Sequence, residues 1–186
     1  MNKFITLFKD SAKELKNTRG ITLAAMLGAM GIVLSQFTIV VSDFLKIGFS
    51  FLPNRIVYYL FGPFVGMIYG AAMDILSFIV KPTGPFHPGF TINAAITGLI
   101  FGLVLYKKSL KLSRIFIAST IKIIIVNIIL NSYWISTITG RAFIAIMPIR
   151  ITKNILLLPV EAVLLFLVIK ALETTGIFKL LSKNEN

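Results

Sequence analysis

The sequence predicts an all-α integral membrane protein of six transmembrane helices with both termini in the cytoplasm. Three observations carry that prediction. First, 56% of the 186 residues are hydrophobic and the mean hydropathy is +0.89, more apolar side chain than the interior of a soluble domain of this size can hold. Second, long apolar runs alternate with short polar connections, as bilayer crossings require. Third, the basic residues gather between those runs. Twelve Lys and Arg fall in the N-terminal segment, the 107–114 loop and the tail together with Lys170 at its edge; six fall on the other side (Lys46, Arg55, Lys81, Arg141, Arg150 and Lys153), and Lys122 lies within the membrane. The positive-inside rule reads this asymmetry as cytoplasmic termini in a multi-pass protein of the cell membrane. The net charge of +12 is then a topology signal, and no nucleic-acid partner is expected. With no cysteine and a single histidine, His87, no disulfide, metal site or cofactor is expected either.

One membrane domain, 1–186, is expected: a cytoplasmic segment over 1–20, six spans over 21–171 and a cytoplasmic tail over 172–186. The first segment is basic with Phe4, Leu7, Phe8 and Leu15 interspersed, the make-up of an amphipathic helix lying on an anionic leaflet. The run 21–41 is long enough to span, and no small-x-small cleavage site follows it, so it reads as an uncleaved first span. Ala25 and Ala29, like Ala24 and Gly28, are four apart, so a second backbone can approach closely. That face suits either another membrane subunit or a neighbouring span. Residues 42–54 form a mixed segment able to fold over a cavity. The run 55–61 is short for a crossing unless residues from about 49 contribute, and Gly62-Pro63 ends it. The next span, 64–80, carries Gly66, Gly70 and then Asp74 at four-residue spacing.

Residues 81–91 read Lys-Pro-Thr-Gly-Pro-Phe-His-Pro-Gly-Phe-Thr. Three prolines forbid a helix and two glycines permit turns, so a stiff cap bearing Phe86, His87 and Phe90 is expected. It suits a flat ligand, and it also reads as a plain turn between two spans. The following span, 90–106, has Thr91, Asn93 and Thr97 near its start and a small face at Gly98 and Gly102. After the basic loop comes the run 115–134, then a polar connection over 135–147 with Arg141. Arg150 and Lys153 open the last run, which continues over 156–171 with a kink expected at Pro159.

Charges inside a bilayer are costly, so each needs a partner or a task. Lys122 and Glu161 lie at matching depths, roughly 10 and 13 Å from the cytoplasmic side at 1.5 Å per residue, and an ion pair between them is expected. Asp74 lies roughly 10 Å below the outer end of its span. Asn127, Asn131 and Trp134 follow at i, i+4 and i+7, one helical face, with Asn127 at about the depth of Asp74. Together they read as an outward polar cavity; singly they read as inter-helix hydrogen bonds and an interfacial anchor. Lys81, His87, Arg141, Arg150 and Lys153 ring the mouth, either as an anion-attracting rim or as a solvated face. No nucleophile elbow, zinc motif or phosphate-binding loop is present, so no enzyme is expected and any energy source lies in another chain.

These residues resemble the S components of energy-coupling factor (ECF) transporters, the vitamin-capture subunits. Ala25-x-x-x-Ala29, Phe61-Gly62-Pro63 leading into Gly66, Gly70 and Asp74, the polar outer loop and the six spans carry the likeness across nearly the whole chain. The 81–91 stretch and Pro148-Ile149-Arg150-Ile151-Thr152-Lys153-Asn154 bring it nearest to the folate-specific members, with His87 standing where those show an aromatic. The resemblance implies capture of folate on the outer face and release after docking on one transmembrane coupling subunit with two ATP-binding subunits. It assigns Ala25 and Ala29 to that docking, and it implies that the S component topples in the membrane. The residues are compatible with folate. Asp74 can accept the two-donor pterin edge, Asn127 and Asn131 can read the remaining polar atoms, and Thr91 is a further ligand-binding candidate. Phe86, Phe90 and Trp134 can stack, with His87 beside them, and Arg141, Arg150 or Lys81 can meet the glutamate carboxylates. Alternatives are an S component for riboflavin, pantothenate or thiamine, a lipid-directed enzyme, or a ligand-free membrane scaffold.

Overall fold

Within a bilayer no water satisfies backbone amides, so apolar segments wind into helices that satisfy their own. The computed structural model describes residues 2–40, 46–82, 84–140 and 142–175. Its helices are α1 (Asn2–Glu14), α2 (Thr18–Gln36), α3 (Phe51–Val80), α4 (Pro88–Leu105), α5 (Leu112–Lys122), α6 (Asn131–Thr139) and α7 (Phe143–Thr174). Between α5 and α6 the rod runs on through Ile123–Leu130 with π-helical winding. The mixed segment after α2 holds a short antiparallel hairpin, β1 (Thr38–Val40) and β2 (Lys46–Gly48), with Ile39 opposite Ile47. The described fold is therefore helical apart from that hairpin.

Among the described residues, five helical stretches are long and apolar enough to cross a membrane. The sixth helix of the bundle is hidden inside α3, where Gly62 breaks the winding at φ 81° and ψ −168°, a conformation open in practice to glycine alone. The two arms fold back on each other. The Tyr69 hydroxyl donates to Asn54 Oδ1 at 3.1 Å, and the Tyr58 and Tyr69 rings meet edge-on at 6.1 Å. A continuous helix would hold residues 54 and 69 roughly 22 Å apart. The short run and its longer successor are thus antiparallel neighbours, and the first arm is only about 16 Å long.

The second arm and α4 run antiparallel in close contact, with small residues where they touch. A Cβ on Gly98 would lie 2.0 Å from the Gly66 carbonyl oxygen, and one on Gly70 would lie 2.5 Å from that of Ala94. Gly102 meets Pro63 in the same way. The small faces read separately in two spans are the two sides of one contact.

The core lies between the first arm of α3, α4, α5 and α7, where Val57, Phe101, Ile115, Leu165 and Ile169 are fully buried. One charge is buried with them. Arg55 sits between the rings of Phe51 and Phe101, 4.5 and 4.8 Å from their centroids, and pairs with Glu161 at 2.5 Å. This corrects the expected Lys122–Glu161 pair: the carboxylate's bonded partner is Arg55, and Lys122 acts on both only through its field. Depth along an axis says nothing of azimuth. Because α3 begins at Phe51, Arg55 lies one turn inside the bundle rather than on its rim.

The N-terminal helix is docked onto the Gly62 break. Breaking the helix there frees backbone groups that a bilayer would leave unsatisfied. Ser11 of α1, itself fully buried, answers three of them. Its hydroxyl donates to the Phe61 carbonyl at 2.5 Å and accepts from the Phe64 and Val65 amides at 3.1 Å each. Around it, Lys107 pairs with Asp10 at 2.8 Å, and the Tyr106 hydroxyl donates to Glu14 at 3.4 Å. Phe4 and Ile5, farther along α1, remain exposed.

Candidate functional site

The site forms where the proline cap delivers the chain into α4. His87 caps that helix, its Nδ1 accepting from the Gly89 amide at 3.1 Å, and Pro88 follows in a first-turn position that costs no hydrogen bond. Gly89 has the Trp134 indole directly upon it, so a Cβ there would lie 2.4 Å from the ring. With that clearance Trp134 settles over the start of α4, its ring 5.1 Å from His87 and 4.9 Å from Tyr133. Phe90 meets His87 edge-on at 5.9 Å. Phe86 turns the other way, onto Phe78 at 5.2 Å.

Beneath these rings lie two polar pairs. The Thr91 hydroxyl donates to Asp74 Oδ2 at 2.8 Å, joining α4 to the second arm of α3. Trp134 Nε1 donates to Asn93 Oδ1 at 3.2 Å, joining α6 to α4. Asn93 is 6% exposed, and among the described residues its Nδ2 has no hydrogen-bond partner; nor has the buried Oδ1 of Asn131.

A third group ties the π-wound segment to α7. Asn127 donates through Nδ2 to Asn154 Oδ1, Asn154 donates to the Arg150 carbonyl at 2.7 Å, and Arg150 Nη1 donates to the Asn127 carbonyl at 3.5 Å. Asn127 therefore faces α7, whereas Trp134 faces α4. A π-helix takes more residues per turn than an α-helix, so i, i+4, i+7 spacing across this segment serves two neighbours.

Of the residues read from the sequence, the structure joins Asp74 with Thr91, Trp134 with His87, and Asn127 with Arg150. Lys81 is exposed just beyond α3, and Arg141 lies outside the described residues. Asn93 and Asn154 were missed as site residues. The available signal was an amide in an otherwise apolar span, which needs a partner there.

A second feature runs along the flank. An apolar groove of ≈ 410 Å³ is bordered by α2 and the second arm of α3, with the end of α1 at its rim. Both small-residue pairs of α2 line this groove. Gly28 is buried against Met73 and Tyr69, while Ala25 and Ala29 are exposed and line the groove.

A helical bundle long enough to span a membrane, with half-buried polar pairs under aromatic rings at one end and a small-residue groove along its side, defines a membrane-embedded binding protein. More narrowly, the chain belongs to the family described as ECF transporter, substrate-specific component, which it matches over residues 19–169. That is a transporter family, not an enzyme family. Two folate transporters named FolT are similar. The one from Clostridium novyi (strain NT) is 28% identical over 152 residues, 82% of this chain and 88% of that protein. The one from Leuconostoc mesenteroides subsp. mesenteroides is 32% identical over 152 residues, 78% of this chain and 81% of that protein. The crystal structure of FolT bound with folic acid shares the fold at a TM-score of 0.72 and 31% identity, covering 82% of this chain and 93% of that one. Residues 2–18, including Ser11, precede the matched region.

Proposed function

We propose that this chain captures folate at the outer face of a bacterial plasma membrane and passes it to an ATP-driven module. The observation that carries this reading is the pairing of Asp74–Thr91 with Asn93–Trp134 at the start of α4, in a chain whose fold follows FolT bound with folic acid. A pterin offers an amino group beside a ring N–H, and a carboxylate accepts both in charge-assisted bonds. Asp74 takes that edge, oriented by Thr91. Trp134, Phe90 and His87 cover the ring, Phe86 flanks the mouth, and Asn131 supplies a further acceptor. Asn127 anchors Arg150, whose remaining guanidinium donors, with Lys81 and Arg141, meet the glutamate carboxylates.

The distribution of Lys and Arg supports an outward-facing His87 end and cytoplasmic termini. The groove lined by Ala25 and Ala29 is suited to close approach of a helix from a transmembrane coupling subunit, with two ATP-binding subunits attached beyond it. Calorimetric titration of the purified protein with folate, riboflavin and thiamine tests the ligand. One-to-one binding of folate alone is expected, and binding of another vitamin in its place sinks the reading. Asp74→Asn should weaken folate binding by about 10- to 100-fold, the worth of one charge-assisted interaction. An unchanged affinity removes Asp74 from the pterin edge.

A further inference from the structure

We propose that α1 is a lipid-binding helix whose first turns lie in the interface of an anionic leaflet, with Phe4 and Phe8 set at the hydrocarbon boundary. The proposal is independent of the folate reading, and α1 precedes the region matched by the family, residues 19–169.

Ser11 fixes the direction in which α1 presents its side chains. Its hydroxyl binds the Gly62 break, so the Ser11 stripe of the helix faces the bundle. Asp10 and Glu14 are tied to Lys107 and Tyr106, just past the end of α4, and Gly102 of α4 lies against Pro63. These partners share one end of the bundle, and α1 is docked against that end. At 3.6 residues per turn, Phe4 falls about 20° from Ser11 around the helix axis and Phe8 about 60°, whereas Lys9 and Lys13 fall about 160° away. Phe4 lies about 10 Å farther along the axis than Ser11. There it is 54% exposed, and Ile5 beside it is 49% exposed. The Phe4 ring rests on that of Phe8, with 5.1 Å between centroids. The stripe that the bundle covers at Ser11 therefore runs on toward the N-terminus, apolar and uncovered. What adjoins the end of a membrane bundle is the headgroup layer of a leaflet, and a helix lying in that layer sinks its apolar face to the acyl boundary.

Charge selects the lipid. Lys9, Lys13, Lys16 and Arg19 are exposed, while the two acids of α1 are engaged, Asp10 by Lys107 and Glu14 by Tyr106. A helix is roughly 10 Å across, about one Debye length at 0.1 M salt, so lysines on its far side still feel the leaflet. Basic segments held at that distance are attracted by anionic headgroups.

The chain has no cysteine, so Phe4→Cys, Ile5→Cys and Lys9→Cys each take a single nitroxide label in the full-length protein. The labelled proteins are reconstituted in vesicles of phosphatidylcholine with phosphatidylglycerol, and of phosphatidylcholine alone. Power-saturation EPR compares collisions with oxygen, which partitions into hydrocarbon, and with a water-soluble nickel complex. With phosphatidylglycerol present, the oxygen-to-nickel ratio of the Phe4→Cys label should exceed that of the Lys9→Cys label several-fold, with Ile5→Cys between them. Leaving out phosphatidylglycerol should lower the Phe4→Cys ratio. Equal ratios for Phe4→Cys and Lys9→Cys overturn the proposal and put the Phe4 face in water. A Phe4→Cys label shielded from both reagents overturns it too, and assigns the face to a protein, a second copy of this chain included. A Phe4→Cys ratio just as high in phosphatidylcholine alone overturns the anionic preference. Ile5→Cys keeps the Phe4 ring in place, so an Ile5→Cys ratio no higher than that of Lys9→Cys decides against insertion even if the label at Phe4 disturbs the helix.

Discussion

At the Gly62 end of the bundle the backbone is broken, and Ser11 answers the Phe61 carbonyl and the Phe64 and Val65 amides together. At the His87 end the helices are whole, and it is side chains, Asn93 Nδ2 and Asn131 Oδ1, that lack a partner among the described residues. The contrast separates two uses of polarity in an apolar bundle. At the break the freed groups are matched within the chain, because an unmet one costs roughly 1–3 kcal/mol. A polar group that serves a ligand keeps bonding capacity in reserve. The buried hydroxyls of Ser119 and Ser132 also lack a partner among the described residues and follow neither use. Between the two ends, Arg55 shows an intermediate case. Its Nη2 pairs with Glu161, and its free Nη1 belongs to a guanidinium sandwiched by Phe51 and Phe101, whose faces attract a cation.

That division breaks most visibly at the ion pair. Glu161→Leu leaves the Arg55 charge buried without its counter-ion, a loss of roughly 3–5 kcal/mol. Thermal unfolding in detergent should show a large fall in Tm, and the double variant with Arg55→Met should regain much of it, since a well-filled apolar site dispenses with both charges. If the double variant is no better than Glu161→Leu alone, the pair does more than neutralise itself.

Ser11→Ala comes next. It removes one hydroxyl and strands three backbone groups, so a loss of about 2–3 kcal/mol is expected if part of the deficit is taken up by relaxation. The sharper expectation is what stays constant. Folate affinity by calorimetry should match the parent, because the clip lies at the other end of the second arm of α3 from Asp74. A Ser11→Ala variant with parental stability would deny the clip any role in holding the break. One with lost affinity and parental Tm would reverse the assignment of the two ends.

The sequence showed the helices more readily than their mutual rotations. Six runs were legible because membrane spans must be long and apolar, and the Gly62-Pro63 break was legible because neither residue continues a helix easily. The glycine faces at Gly66–Gly70 and Gly98–Gly102 were legible as faces, and only the fold showed that they touch each other. Arg55 was counted with the outer charges because its run was read as opening at residue 55. Asn127 and Trp134 were grouped on an α-helical repeat that the π winding between them alters. Ser11 carried no signal at all: a serine in a basic amphipathic helix looks like solvated surface until the freed amides of another helix are placed beside it. The local rules hold in each case, and what was hidden is long-range pairing, 50 residues apart for Ser11 with Phe61 and 106 for Arg55 with Glu161.

The smallest effect sharpens the comparison at the Gly62 end through pH. Lys107, bonded to Asp10, holds that carboxyl below its ordinary value of 3.8. A group whose folded value is depressed contributes stability above its unfolded value and loses it as the pH falls through the folded one. The Asp10–Lys107 pair should therefore help hold α1 at neutral pH and at pH 5, and cease to do so below about pH 4. The pair is exposed, so its contribution is modest and screened by salt. Comparing Tm for the parent and Asp10→Asn from pH 7 down to pH 3 should show a small gap that closes in the acid range and narrows in high salt at neutral pH. Ser11 does not titrate, so the deficit of Ser11→Ala should persist across the same range. A Ser11→Ala deficit that vanished with the Asp10 effect would mean that α1 leaves the Gly62 break once its ion pair is lost, making the charge the latch and the hydroxyl a passenger.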